Sequence, residues 1–503
     1  MRNKFIRRLS LLTSIPICII IFMAYAFADT VKLKNGKEFR GHLKEITDKD
    51  VVLELKLGSS KGIIGFKIID VENINNLSIE EARARLSTEG AFISGEKEEA
   101  ILSSAKEGLN FISKTRKLEF KNSPDIKIVS KNKIKENIKK QIEKYYTKER
   151  LDTDAKLLLK LGLISEIEDY QTKVLGLLTE EIAGYYTPDD KKIYVTENAL
   201  GEIMPGIPSI SIMHEQVHAL QDQHHDLTTI HQSQLLENAD KSLAVQSVIE
   251  GEATVLMYDA FFRSMRGMGL TGSTDKFDLR SFVIDSLLAY SKRFKTEKDK
   301  PAIFMESLLF PYVWGGSFIQ YTVNAKGWEE VDLIYIDMPA SSEQIMHPEK
   351  YYIVRDEPKK VDFPDLSGLL GSSWKRLTKD TLGEFSFYLT GKVFLDELST
   401  KMMSEGWGGD GFELYEELNS KKTLFLVLSK WDSERDADEF FSFYKKIIEK
   451  KYAQPTKVLE DQNSSQWKAK EDNIYIAKSK DSIVIIEGAP DDLLSNLIAA
   501  LKI

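Results

Sequence analysis

Short runs in which apolar and polar residues alternate occupy residues 29 to about 76. Segments such as TVKLKNG and DVVLELKL are bounded by Asn-Gly and Gly-Ser-Ser turn signals, a pattern typical of β-strands. Four or five strands of this length predict a small β-barrel of the SH3-like or Sm-like type. We therefore predict an accessory module over residues 29–76, too small for an enzyme cleft, followed by a polar linker over 77–96.

The apolar spacing becomes mostly helical between about 97 and 180, interrupted by one strand-like run, DIKIVS. GYYTPDDKKIYV, residues 184–195, then predicts a β-hairpin that turns at Pro-Asp-Asp. Beyond about residue 366 strand and helix signals mix, as in TLFLVLSKWD and ADEFFSFYKKIIEKKY. The fold class is therefore α+β, with a mainly helical domain over 97–365 and an α+β domain over 366–503.

The first 28 residues carry an apolar pattern of a different kind. MRNKFIRRLS is basic, LLTSIPICIIIFM is apolar, and AYAFA ends in a small-x-small pattern. These features predict a secretory signal peptide over residues 1–28, cleaved before Asp29, and hence a secreted or periplasmic protein. The alternative is an uncleaved anchor, since residues 9–28 are just long enough to span a membrane; only then would the chain contact a membrane.

The cysteine content and the net charge limit the kinds of site and partner that this chain can have. The only cysteine, Cys18, lies in the predicted signal peptide, so a metal site in the mature chain must use histidine and carboxylate ligands. Loss of the four basic residues of that segment takes the formal net charge from -9 to -13. An acidic surface of this kind argues against nucleic acid as a partner.

Histidines cluster in SIMHEQVHALQDQHHDL, residues 211–227. His214 and His218 are four residues apart, so on a helix they lie on one face and can hold a single ion. Ser209 is a suitable N-cap for that helix. An apolar stripe runs beside the histidine face: Ile210, Met213, Val217 and Leu220. We therefore expect a helix that buries one side and presents both imidazoles to a cleft.

Glu215 gives this pair of histidines a possible catalytic role. It is rotated about 100° from His214 around the helix, so it cannot easily share the ion but can reach a water beside it. In a His-Glu-x-x-His arrangement zinc polarises a carbonyl and acidifies water, while the glutamate takes the proton from that water. The motif thus predicts a Zn²⁺-dependent peptidase with Glu215 as general base.

A third ligand is expected from SLAVQSVIEGEATVLMYDAF, where Glu250 and Glu252 interrupt an apolar run. The two acids are about 200° apart on a helix, so only one of them can face the metal. Gly251 between them costs about 1 kcal/mol of helix propensity relative to alanine. We expect this glycine to allow a close approach to another backbone.

HEQVH followed by IEGEAT resembles the gluzincin metallopeptidases, whose third zinc ligand is a glutamate on a later helix. The resemblance implies a zincin-like domain in which His214, His218 and Glu250 bind Zn²⁺, while Glu252 either supports these ligands or forms a salt bridge. One departure is that 31 residues separate His218 from Glu250, more than is usual, so an extra loop or turn is expected there. The motifs HALQDQH, EGEAT, FPYVWGGSF and HPEKY also resemble uncharacterised secreted bacterial zincin-like proteins, from about residue 170 to 430.

Gluzincins use a distant histidine or tyrosine to donate a hydrogen bond to the oxyanion of the reaction intermediate. The resemblance implies His347 for this role, with Tyr351 and Tyr352 as alternatives; an exposed loop histidine is the other interpretation of His347. Asp222, one turn beyond His218, is a candidate support for a ligand. The remaining histidines of the cluster, His224, His225 and His231, are expected at the polar surface or in loops.

The expected function is hydrolysis of peptide bonds in a protein or peptide substrate. Zincins bind substrate as a strand added to a sheet edge, so the hairpin over 184–195 is a candidate for that contact. The alternative is a non-catalytic envelope protein in which a structural zinc joins two helices and the flanking domains bind partners. The choice of substrate and the oligomeric state do not follow from the sequence.

Overall fold

The computed structural model describes residues 29–57, 60–74, 78–80, 82–83, 95–145, 147–165, 170, 184–196, 209–234, 237–267, 302–470 and 472–501. The predicted signal peptide and most of the predicted linker lie outside these residues. Within them the fold is α+β, as predicted, with three separate β-sheets. None of the helices in these ranges is both long enough and apolar enough to cross a membrane.

The N-terminal sheet has five antiparallel strands in the order β4-β3-β2-β1-β5. The strands are β1 (Asp29–Leu33), β2 (Glu38–Ile46), β3 (Asp50–Leu57), β4 (Ser60–Lys67) and β5 (Val71–Ile74). Side chains alternate between the two faces of a strand, and the apolar set of one face forms a small core. Its central members are Val31, Val51, Phe66, Val71 and Ile74.

A three-stranded sheet and three helices follow. They are α1 (Gly95–Arg116), β6 (Asp125–Ile128), α2 (Lys131–Tyr145), α3 (Lys148–Leu161), β7 (Gly184–Thr187) and β8 (Lys192–Val195). The strand order is β6-β8-β7, with β6 parallel and β7 antiparallel to β8. The predicted hairpin is therefore confirmed, and β7 forms one edge of its sheet.

The middle of the chain forms four helices, α4 (Ile210–His225), α5 (Leu227–Gln234), α6 (Ala239–Gly267) and α7 (Ala302–Lys326). The predicted N-cap is confirmed, since the Ser209 hydroxyl accepts a hydrogen bond from Ile212 N. At the other end Asp226 adopts a left-handed conformation, φ 51°, which turns the chain into α5. Part of the expected extra loop is therefore helical.

Helix α4 is buried around its whole circumference from Ser211 to Asp222. The prediction that only one side would be buried is wrong, because three elements surround the helix. Its residues pack with those of α1 and of the hairpin in one cluster, which includes Ile101, Tyr186 and Ile212. Another cluster joins it to α6. The polar side chains of α4 therefore need partners inside the protein.

Helices α6 and α7 pack backbone against backbone. A Cβ atom placed on Gly251 would lie 2.3 Å from the carbonyl carbon of Gly315, and one on Gly315 would lie 2.0 Å from Ser247 O. Neither position can therefore accept a side chain without moving the helices apart. The close approach expected for Gly251 is confirmed.

The rest of the chain builds a large sheet with helices on both faces. Its helices are α8 (Glu329–Ile336), α9 (Ser342–Met346), α10 (Pro348–Tyr352), α11 (Ser367–Leu370), α12 (Gly383–Phe394), α13 (Glu397–Ser404), α14 (Glu434–Lys451) and α15 (Asp491–Ala500). Its strands are β9 (Trp374–Asp380), β10 (Trp407–Glu417), β11 (Thr423–Trp431), β12 (Thr456–Glu460), β13 (Ser464–Ala469), β14 (Asp472–Ser479) and β15 (Ser482–Ala489). They are antiparallel, in the order β12-β13-β14-β15-β11-β10-β9.

The central strands β10, β11 and β15 of this sheet are buried on both faces. Along β11, Phe425 and Val427 belong to the largest core cluster, whereas Leu424 and Leu426 belong to a second cluster on the other face. The second cluster is covered by α15. The largest cluster also contains Leu157 of α3 and Phe310 of α7, so one core crosses the predicted boundary near residue 365.

Candidate metal centre

Helices α4 and α6 bring three predicted ligands together. His214 Nε2 lies 3.1 Å and His218 Nε2 lies 3.4 Å from the same oxygen, Glu250 Oε2. The two imidazole ring centroids are 4.6 Å apart. All three side chains are at most 2% exposed. Two nitrogens and one carboxylate oxygen thus converge on one point in the interior.

The protonation states of this group suit a cation. Burial lowers the pKa of His214 to about 4, so its imidazole is neutral at pH 7. Burial alone would raise the pKa of Glu250, but its two neighbouring histidines, His218 foremost, lower it to about 2. A neutral imidazole and an ionised carboxylate are ligands that Zn²⁺ takes in proteins. The donor set therefore fits zinc with one coordination position left for water.

Glu215 lies beside this group with its two carboxylate oxygens in different environments. Oε2 accepts a hydrogen bond of 2.6 Å from the backbone N–H of Tyr186. Oε1 is buried and has no hydrogen-bond partner among the described residues. Burial raises the pKa of Glu215 to about 8, and a cation nearby would lower it again by favouring the charged form. The oxygen without a partner is thus free to accept a proton.

Glu252 has a different partner from Glu250. Its Oε1 accepts a hydrogen bond of 2.6 Å from Arg116 Nε, and its Oε2 accepts one of 2.7 Å from the Tyr335 hydroxyl. The Arg116 side chain is only 1% exposed and also contacts Asp332. The structure therefore places Glu250 beside the histidines and Glu252 in a buried ion pair.

Gln221, for which the sequence carried no prediction, connects that ion pair to His218. Its Oε1 lies 2.8 Å from His218 Nδ1. Its Nε2 donates to Glu252 Oε2 and to the backbone oxygen of Ile249, each at 2.9 Å. The spacing of three residues from His218 was a usable signal, because residues three apart share a helix face.

Asp222 supports the hairpin, and no metal ligand is among its contacts with the described residues. Its Oδ2 accepts hydrogen bonds of 2.6 Å from the Tyr186 hydroxyl and from Lys191 Nζ. Its Oδ1 accepts from Leu227 N at the start of α5. The carboxylate therefore joins helix α4 to β7 and to the next helix.

The structure does not bring His347 to this group. Its Nε2 lies 3.0 Å from Glu384 Oε1 and its Nδ1 lies 3.8 Å from Glu349 Oε1. Burial alone would lower the pKa of His347, but the buried carboxylate of Glu384 raises it. Tyr351 and Tyr352 bond to Asp337 O and the Thr322 hydroxyl, respectively. None of these contacts is with a predicted ligand.

The other histidines of the cluster lie in three different environments. His224 Nε2 lies 2.9 Å from Glu119 O near the surface, as expected. His225 stacks on Tyr335 with ring centroids 3.9 Å apart. His231 is 8% exposed, and its Nε2 has no hydrogen-bond partner among the described residues. The expectation of a surface position is therefore wrong for His231, because it lies on the buried face of α5.

Comparison with known proteins reaches only the C-terminal part of the chain. A family model described as a domain of unknown function (DUF8575) matches residues 373–497. No curated protein and no solved structure matches the chain. The matched segment contains the seven-stranded sheet and lacks the two helices that carry the candidate ligands.

Proposed function

We propose that this protein is a zinc-dependent peptidase of gluzincin type with a zincin-like domain. The observation that carries the proposal is the convergence of His214, His218 and Glu250 around one point, with Glu215 Oε1 buried next to them. Gluzincin-type sites use this ligand set, and the fourth position is left to water. The proposed localisation, secreted or periplasmic, depends on the sequence of residues 1–28 alone.

His214, His218 and Glu250 would hold the ion. When bound, Zn²⁺ acidifies water and polarises the carbonyl of the scissile bond. Glu215 receives the proton of the attacking water at Oε1 and delivers it to the nitrogen of the leaving amine. Its Oε2 stays bonded to Tyr186 N, which fixes the orientation of the carboxylate during both transfers. The surrounding helices exclude bulk water, so these charges interact strongly.

A protein or peptide substrate is supported by the position of the hairpin. Strand β7 is an edge strand, and its Tyr186 N–H contacts the proposed general base directly. An extended peptide bound near this edge would have its backbone close to Glu215. The hairpin is fixed to α4 through Asp222, which keeps this relation constant.

Metal analysis of purified protein beside matched variants tests the proposal. We expect about one zinc per chain in the wild type and loss of zinc in His214→Ala. His224→Ala is the matched control, because His224 lies on the same helix outside the site, and should retain the metal. Glu215→Gln should bind zinc but not cleave unfolded protein substrates. A wild type without zinc, or an active Glu215→Gln variant, would refute the proposal.

A structural zinc site in a non-catalytic envelope protein is the second candidate. The low exposure of the three ligand side chains, 2% or less, favours it, because a catalytic zinc site keeps one position accessible to water or substrate. In that case Glu215 has no catalytic role, and Glu215→Gln would retain zinc as the wild type does. Bound zinc without exchangeable water, together with no activity on unfolded proteins, would support this second function.

A further inference from the structure

Gln221 forms hydrogen bonds both to a proposed ligand and to the helix that carries another proposed ligand. It lies on α4, three residues after His218, and its side chain is buried. One end of its amide contacts His218 Nδ1, and the other contacts Ile249 O and Glu252 Oε2. Ile249 immediately precedes Glu250. A single side chain thus connects the helix that carries both histidines with the helix that carries Glu250.

The orientation of this amide is determined by its neighbours. Ile249 O and Glu252 Oε2 are both acceptors, so the group that faces them must be the NH₂ donor. A rotation of the amide by 180° would place its oxygen against these two oxygens and lose both hydrogen bonds. The amide oxygen therefore faces His218.

An amide oxygen can only accept a hydrogen bond, so His218 must donate one to it. The donor is Nδ1–H, and a neutral imidazole with its proton on Nδ1 has a lone pair on Nε2. That nitrogen is the one 3.4 Å from Glu250 Oε2. The network therefore presents Nε2 in the form that binds a metal.

The Arg116–Glu252 ion pair fixes the carboxylate that accepts a hydrogen bond from the Gln221 amide. Glu252 is fixed by Arg116 and by the Tyr335 hydroxyl, and Arg116 is fixed by Asp332. Because the carboxylate cannot rotate away, the donor of Gln221 keeps its partner. Helices α1 and α8 thus contribute to the orientation of a residue on α4.

We propose that Gln221 is a positioning residue that fixes His218 as the Nδ1–H tautomer and aligns it with Glu250. The proposal rests on the zinc site of the proposed function. It assigns no direct contact between Gln221 and metal or substrate. Groups that orient a metal-binding histidine usually contribute about 10- to 100-fold to metal affinity.

The test measures the zinc affinity of the full chain by competition with a chromophoric chelator at pH 7. Gln221→Met removes the amide at similar length, and Gln221→Asn keeps an amide that is one methylene too short to reach. We expect both to bind Zn²⁺ about 10- to 100-fold more weakly than wild type. The visible spectrum of the Co²⁺-substituted protein should change as well, because it reports the geometry of the ligands.

Gln216→Met is the matched control. Gln216 is a buried glutamine on the same helix, and its Nε2 donates to Ala105 O on α1. This variant should lose stability without loss of zinc affinity. Wild-type affinity in both Gln221 variants, or an equal loss in Gln216→Met, would overturn the role of Gln221. A wild type that binds no zinc would instead overturn the proposed site itself.

Discussion

Replacement of Gly251 by alanine is expected to damage the metal centre through the backbone. The new Cβ would lie 2.3 Å from Gly315 C and 2.4 Å from Gly315 O. Ordinary carbon contacts are about 3.5–4.0 Å, so α6 and α7 would have to separate by about 1 Å. Glu250 is the adjacent residue, and metal sites tolerate deviations of only about 0.2 Å in ligand distance.

The expected cost in stability is about 3 kcal/mol, at the upper end of the range for overpacked cores, because backbone atoms on both sides must move. Thermal unfolding of the metal-free protein measures this cost, and competition with a chelator measures the zinc affinity, which should fall as well. Gly368→Ala is the matched control, since nothing lies within 4 Å of the position of its Cβ. A Gly251→Ala variant that melts and binds zinc like the wild type would refute this prediction.

Three further predictions concern stability. Arg116→Met should cost about 3–5 kcal/mol in urea unfolding, because it leaves the buried charge of Glu252 without a counter-ion, whereas Lys117→Ala should cost under about 1 kcal/mol, since its salt bridge is exposed; equal costs would contradict a stabilising role of the Arg116–Glu252 pair. Burial raises the pKa of Asp154 to about 7, so the folded state keeps a proton that the unfolded state loses above about pH 4. Asp154 should therefore lower the free energy of unfolding by about 1.4 kcal/mol for each pH unit between about pH 4 and pH 7. Asp154→Asn should reduce the slope of stability against pH by that amount, and an unchanged slope would exclude an effect of Asp154. Zinc at 100 times its dissociation constant should stabilise the fold by about 2.7 kcal/mol, and a melting temperature insensitive to zinc and to chelators would argue against any bound metal.

Local structure around the site could be predicted because local patterns determine it. The N-cap Ser209, the apolar spacing of α4 and the turn of the hairpin each depend on a few consecutive residues. The convergence of His214 and His218 follows from helix geometry alone. The expected close approach at Gly251 followed from the cost of placing glycine within a helix.

Contacts between distant segments could not be predicted in the same way. The choice between Glu250 and Glu252 depends on Arg116, which is 136 positions from Glu252 and has no local pattern that marks it. The burial of α4 on all sides requires α1 and the hairpin to pack against its polar residues. Gln221 carried a signal in its spacing from His218, but many surface glutamines have the same spacing from a histidine.

One hydrophobic core is shared between α3, α7 and the C-terminal sheet, and this sharing determines when the site can assemble during synthesis of the chain. Helix α6, which carries Glu250, also begins against that sheet, since Ala239 N donates to Asp380 Oδ1. A ribosome has to complete nearly the whole chain before these helices can bury their apolar faces. A premature stop codon in the last quarter of the gene, far from every candidate ligand, should therefore prevent assembly of the site as effectively as the loss of a histidine.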